Sequence, residues 1–171
     1  MSSLLSKSLE ASRITTPAKN GDGKNGQPFK LSLPPKQPYV QYYGYEVAPA
    51  WLVQFAEHHY PEGLPDRNDK SYEDNAITLA YGIIQDWGRI CTLATKHCFN
   101  PPEGCPVPPE WIASMYDEGD DPEDLQIVLV LSVCSDQEDD FEWRPVQGKM
   151  DFLTKLIGHG PKWWPSCGFA D

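Results

Sequence analysis

LQIVLVLSVC, residues 125–134, carries apolar side chains at nearly every position and shows no alternation. A strand with one wet face repeats every two residues, whereas a strand covered on both faces reads as a continuous apolar run. The run is too short to span a bilayer, and its Val and Ile suit a pleated backbone. It therefore predicts a central strand that needs covering material on both sides.

The segments on either side supply that material. PYVQYYGYEV, from residue 38, has the Tyr and Val content of a short strand at a sheet edge. Pro49 suits the first turn of a helix, and Trp51, Leu52, Phe55, Ala56 and His59 share one face, with His58 toward solvent. After the break PEGLPDRNDK, Ser71 with Asp74 resembles a capping box. Ile77, Ala80, Tyr81, Ile84 and Trp87 then form a helical stripe that Gly88 stops. RICTLAT, 89–95, reads as a strand, and one short helix is expected within 109–116. The last clear element runs from Pro145 to Ile157 with Val146, Met150, Leu153, Leu156 and Ile157 inward and Gly158 at its end. Together these predict an α+β fold, about three helices packed on a small mixed or antiparallel sheet.

Residues 1–37 differ from this body. They hold six basic side chains (Lys7, Arg13, Lys19, Lys24, Lys30, Lys36) against Glu10 and Asp22, while residues 38–171 hold 23 acids against 8 bases within a net charge of −11. Rich in Ser, Lys, Gly, Asn and Pro, the segment reads as a basic, extended N-terminal arm before a single domain, 38–171. Leu4, Leu5, Leu9 and Ile14 fit a short helix there, and Phe29, Leu31 and Leu33 alternate as in a strand. The opposite charges suggest an arm that folds back on the body or reaches a neighbouring copy; the alternative is a tail with incidental lysines. The acidic body repels phosphates and anionic lipid, which argues against nucleic acid and membrane as partners. MSSLLSKSLEASR lacks the apolar core of a secretory signal, so the expected address is intracellular and cytoplasmic.

Chemistry-bearing motifs are weak. Gly21-Asp22-Gly23-Lys24-Asn25-Gly26 spells G-x-G-x-x-G, but no strand delivers it and prolines follow where a helix must begin, so it reads as linker. His97, Cys98 and Cys105 offer thiolate and imidazole to a metal, or to thiol catalysis, without the close ligand pairs of structural zinc sites. Cys91 and Cys134 are expected in the core, and five cysteines without an export signal favour reduced thiols. Arg13 with Thr16-Pro17 offers a kinase site of very low specificity. The carboxylate runs 117–124 and 136–142 can bind a cation or share protons; the plainer reading is solvated loops that keep the apolar strand soluble. No motif calls for a cofactor.

YYGYEVAPAWLVQFAEHH, together with LQIVLVLSVC and GKMDFLTKLIGHGPKWW, resembles a set of small, uncharacterised proteins of mushroom-forming fungi over residues 40–164. The shared motifs are packing motifs, and the resemblance implies only a eukaryotic, intracellular single domain. The reading that remains is a non-enzymatic protein-interaction or regulatory protein. Tyr42, Tyr43, Tyr45, Trp163 and Trp164 are its candidate contact surface, with core packing as the alternative for each. The rivals are an enzyme whose pocket assembles from separated Cys/His or carboxylate residues, and a self-assembling protein that exchanges its arm.

Overall fold

The apolar run forms β3 (Ile127–Ser135) and pairs on both sides, with β1 (Tyr39–Glu46) and with β2 (Ala94–Phe99). A fourth strand, β4 (Lys162–Phe169), pairs with β1 and, through Cys98 and Ser166, with β2. The strands thus close on themselves in the order β1-β3-β2-β4, all antiparallel. This computed structural model describes residues 26–101 and 126–169. The helix expected within 109–116, the acidic run 117–124, Cys105, Thr16 and the Leu4–Ile14 and Gly21–Asn25 stretches lie outside the described residues.

Among the described residues there are four α-helices: α1 (Pro49–His59), α2 (Tyr72–Gly88), the short α3 (Glu138–Glu142) and α4 (Gln147–Ile157). The class is α+β, as the sequence pattern requires, and none of these helices is long and apolar enough to cross a membrane. One face of the sheet is covered by helices. Leu129, Leu131 and Val133 of β3 and Tyr45 of β1 join Leu52 and Phe55 of α1, Ala80 and Ile84 of α2, and Met150 and Leu153 of α4 in one core. The buried Tyr45 hydroxyl donates to the Met150 carbonyl at 3.1 Å and lies 2.9 Å from Thr154 Oγ1, fastening β1 to α4.

Among the described residues no helix covers the second face. It curls onto itself around Trp164, which packs with Cys98 and Val130 and leaves only 2% of its surface exposed. Barrel diameter grows with strand number, so four strands leave room for little more than one large ring. The indole Nε1–H donates to the Gly44 carbonyl at 3.0 Å, so the ring is buried without losing a hydrogen bond. Gly44 fits because it has no side chain: a Cβ would lie 2.2 Å from the Leu131 carbonyl oxygen and 2.7 Å from the Ser132 Cα. The β1–β3 register shifts between Tyr43 and Gly44, as a bulge does. With Tyr43 opposite Cys134 and Gly44 opposite Ser132, Val133 is the extra residue, which lets Val133 and Cys134 both join the helix-side core. The Ser132 hydroxyl, 3.1 Å from the Cys134 carbonyl, spans the irregularity.

Several local expectations need correction. β1 is paired on both sides and is no edge strand. Residues 89–93 are not a strand: Arg89 takes a left-handed conformation (φ 49°) to end α2, and Ile90 and Leu93 are buried from a turn before β2 begins. Gly88 is the last helical residue rather than the stop. The Ser71–Asp74 capping box does not form. The Ser71 hydroxyl donates instead to Asp69 Oδ1 at 2.8 Å, and Asn75 Nδ2 donates to the Ser71 carbonyl at 2.9 Å. Gly158 does end α4, at φ 93°. The packed unit also reaches upstream of residue 38, because Phe29 is buried and Leu31 packs against the same core.

The closure around Trp164 sets a stability test. Gly44→Ala is expected to lower the unfolding free energy by about 3 kcal/mol, since overpacking against rigid backbone has no cheap relaxation. Trp164→Phe, which keeps a ring but leaves the Gly44 carbonyl without its donor, is expected to cost about 1–2 kcal/mol. Urea denaturation of the two variants checks both; a Gly44→Ala protein as stable as wild type removes this account of the closure.

Candidate functional site

Alternation along β4 divides its two indoles. With Trp164 turned inward, Trp163 turns outward, where its ring lies 5.2 Å from that of Tyr43, its register partner on β1. Tyr43 in turn stacks on Phe29 at 5.7 Å and an interplanar angle of 24°. Phe29, Tyr43 and Trp163 therefore form an aromatic ladder on the outer side of the β1–β4 pair. Phe29 is held by its backbone as well. Its N–H donates to the Pro145 carbonyl at 3.0 Å, and Arg144 Nε donates to its carbonyl at 2.9 Å. A single bridge pairs Pro28 with Val146, and a Cβ on Gly26 would lie 2.8 Å from Val146 Cγ1. Among the described residues the arm is thus held by Phe29, by Leu31 against the same core and by one bridge, short of the strand its alternation suggested.

The five aromatic candidates separate by depth. Tyr45 and Trp164 are core residues, while Tyr42, Tyr43 and Trp163 are half-buried. Tyr42 faces the inner side, under the Lys96 ammonium at 5.0 Å, and Lys162 covers the Trp164 ring at 3.9 Å. Burial pushes the Tyr45 hydroxyl up to about 12, against the lowering effect of the Thr154 hydrogen bond. The residue that the sequence pattern does not single out is Trp143. It sits in the α3–α4 connection beside the arm's anchor, and at 77% exposure it is the most exposed large apolar side chain described. Its one local signal is an indole set among charges, in FEWR.

Among the described residues, the candidates His97 and Cys98 are not brought together, and Cys105 lies outside them. Cys98 is wholly buried beside Trp164, and burial pushes its thiol up to about 12. His97, the preceding residue on the strand, is exposed on the opposite face, so the two cannot turn toward one ion. Cys134 is also buried and pushed up to about 12 by burial, whereas Cys91 is exposed rather than in the core. Among the described residues no three His, Cys, Asp or Glu side chains cluster as metal ligands would. The described acidic run holds α3, and its first member binds β1: Gln41 donates to Asp136 Oδ1 from its backbone N–H (3.1 Å) and to Oδ2 from its side-chain amide (3.3 Å).

A second aromatic group closes the α1–α2 junction. The His59 ring lies 4.4 Å from Phe55, 4.8 Å from Trp87 and 4.7 Å from His58. Burial, and then the neighbouring His58, hold its pKa below the ordinary histidine value. Nearby, Glu57 Oε1 accepts from Tyr72 Oη at 2.7 Å and from Arg67 at 2.9 Å, an exposed clamp of the kind that contributes little. No family model, curated protein or solved structure matches the chain.

Two measurements follow from these environments. In the native protein, iodoacetamide at mildly alkaline pH is expected to modify Cys91 and to leave Cys98 and Cys134 unmodified until denaturant is added; native labelling of Cys98 at the Cys91 rate contradicts its place in the core. For His59, a folded pKa below the unfolded one means that the unfolded state binds the proton more readily. Its contribution to stability is therefore present above about pH 6.5 and is lost as pH falls through the folded value. Melting temperature is expected to fall between pH 7 and pH 5, with a smaller fall in His59→Phe; identical pH profiles contradict the assignment.

Proposed function

We propose that this chain acts as a non-enzymatic protein-interaction protein that binds a partner over Trp143 and the neighbouring arm-docking edge. The observation that carries the reading is Trp143, which is 77% exposed while Trp51, Trp87, Trp163 and Trp164 are half-buried or buried. An indole left in water offers a large, rigid contact area at low entropic cost, and Trp is enriched where partners bind most tightly. The carboxylates of α3, Glu138, Asp139, Asp140 and Glu142, precede it directly. They favour a partner that pairs an apolar pocket with a basic rim, and they would steer such a partner in a salt-dependent way.

The test compares proteins retained from a cell extract by the immobilised chain and by Trp143→Ala, using quantitative mass spectrometry. The expected result is a set of proteins retained by the wild type and depleted about tenfold by the substitution, in line with a contact worth more than about 1 kcal/mol. Stability should change by no more than about 0.5 kcal/mol, because the side chain packs against little. If the retained set is unchanged while the fold stays intact, the reading fails.

A further inference from the structure

The Phe29 socket is built entirely from residues distant in sequence. Tyr43 supplies the stacking face, Arg144 the donor to the Phe29 carbonyl, Pro145 the acceptor for its N–H, and Val146 the bridge to Pro28. Arg144 is itself held in position, since its Nη1 donates to the Phe141 carbonyl at 2.8 Å and its guanidinium lies 4.2 Å from the Phe141 ring. This is peptide recognition in miniature, with backbone bonds gripping an extended segment while a pocket reads one side chain. None of these contacts depends on Phe29 belonging to the same chain.

The tether between plug and body is thin. Of residues 32–38, Ser32, Leu33, Pro35, Lys36 and Pro38 are exposed, and Gln41 Nε2 holds the Pro35 carbonyl at 2.9 Å from an exposed position. Pro34, Pro35 and Pro38 have no N–H to add to a ladder and keep the backbone extended. Such a segment reaches outward as readily as it folds back, and exchange of a plug between copies costs little because the same contacts form again. Charge points the same way. Lys30 and Lys36 flank the plug, while α3, which ends two residues before Arg144, carries only acids among its ionisable groups.

We propose that the socket is an exchange site, filled in trans by the Phe29 segment of a second copy of this chain. The proposal rests on reading the protein as one that works by contact, and it names a partner for the arm-docking edge. The Trp143→Ala comparison leaves the socket intact, so the two ideas fail separately.

Gln27 and Gln147, the first residue of α4, each adjoin the Pro28–Val146 bridge, and both are exposed. The experiment uses the full chain with Cys91→Ser, Cys105→Ser and Cys167→Ser, which leaves only the buried Cys98 and Cys134 as native thiols. Gln27→Cys protein is mixed with Gln147→Cys protein at high concentration, incubated and oxidised. A disulfide-linked heterodimer is expected, at about tenfold or more the yield obtained when exposed Glu62→Cys replaces Gln147→Cys, and rising with concentration by mass action. An excess of synthetic peptide spanning residues 24–38 should suppress it, whereas the same peptide with Phe29→Ala should not. If Gln27→Cys and Gln147→Cys cross-link only when placed in one chain, the plug does not exchange and the proposal fails. A heterodimer no more abundant than the Glu62→Cys control, or indifferent to the peptide, reports random collision and overturns it as well.

Discussion

The closure of four strands around one indole governs most of what surrounds it. Trp164 can be buried only if its N–H finds an acceptor, and the Gly44 carbonyl provides one at 3.0 Å. At the same residue β1 lies against the β3 backbone, where no side chain fits. The buried indole also fixes the facing of β4, since successive strand residues point to opposite sides. Trp163 is thereby sent outward onto Tyr43, and Tyr43 becomes the platform on which Phe29 stacks. The arm's docking place is thus a consequence of what fills the barrel.

The bulge at Val133 extends this logic along β3. By adding a residue opposite β1, it turns Cys134 toward the helices, where it shares a core with Tyr43, Phe29 and Met150. The chain leaves the strand with Asp136 bound to Gln41, which begins the turn into α3. From there the short helix ends at Glu142, Trp143 follows it, and Arg144 and Pro145 meet the arm. One irregularity in one strand therefore aligns the connection that carries both the exposed indole and the socket.

The elements legible in the sequence are those whose signals are local. The unbroken apolar run marks β3, the helical stripes mark α1, α2 and α4, and Gly158 is a true stop. β4 is not legible, because KWWPSCGF has neither alternation nor freedom from proline, and its pairing depends on closure by partners far along the chain. β2 is displaced from its expected place for a related reason: ATKHCF is largely polar, while the apolar Ile90 and Leu93 just before it belong to a turn. Depth is harder to read than location. Aromatic residues near the ends of the body look alike in sequence, yet Trp164 fills the barrel and Trp163 flanks it. What separates them is register, which depends on the whole sheet.

The same geometry distributes chemical potential unevenly. The thiols of Cys98 and Cys134 are pushed up to about 12 by burial, which disfavours the thiolate that nucleophilic or ligand chemistry needs. His59, wedged between Phe55 and Trp87, is biased toward its neutral form and serves packing. What the described surface offers instead is an exposed indole, a set of carboxylates and a socket holding one phenyl ring. A body of 23 acids and 8 bases repels its own kind, and bare apolar contact between two copies would have to overcome that repulsion. An arm bearing six basic residues changes the balance, because an exchanged arm carries opposite charge to the acidic face of its neighbour while its Phe29 fills a pocket already shaped for it. The segment with the least regular sequence pattern is therefore the one best suited to let like-charged bodies associate.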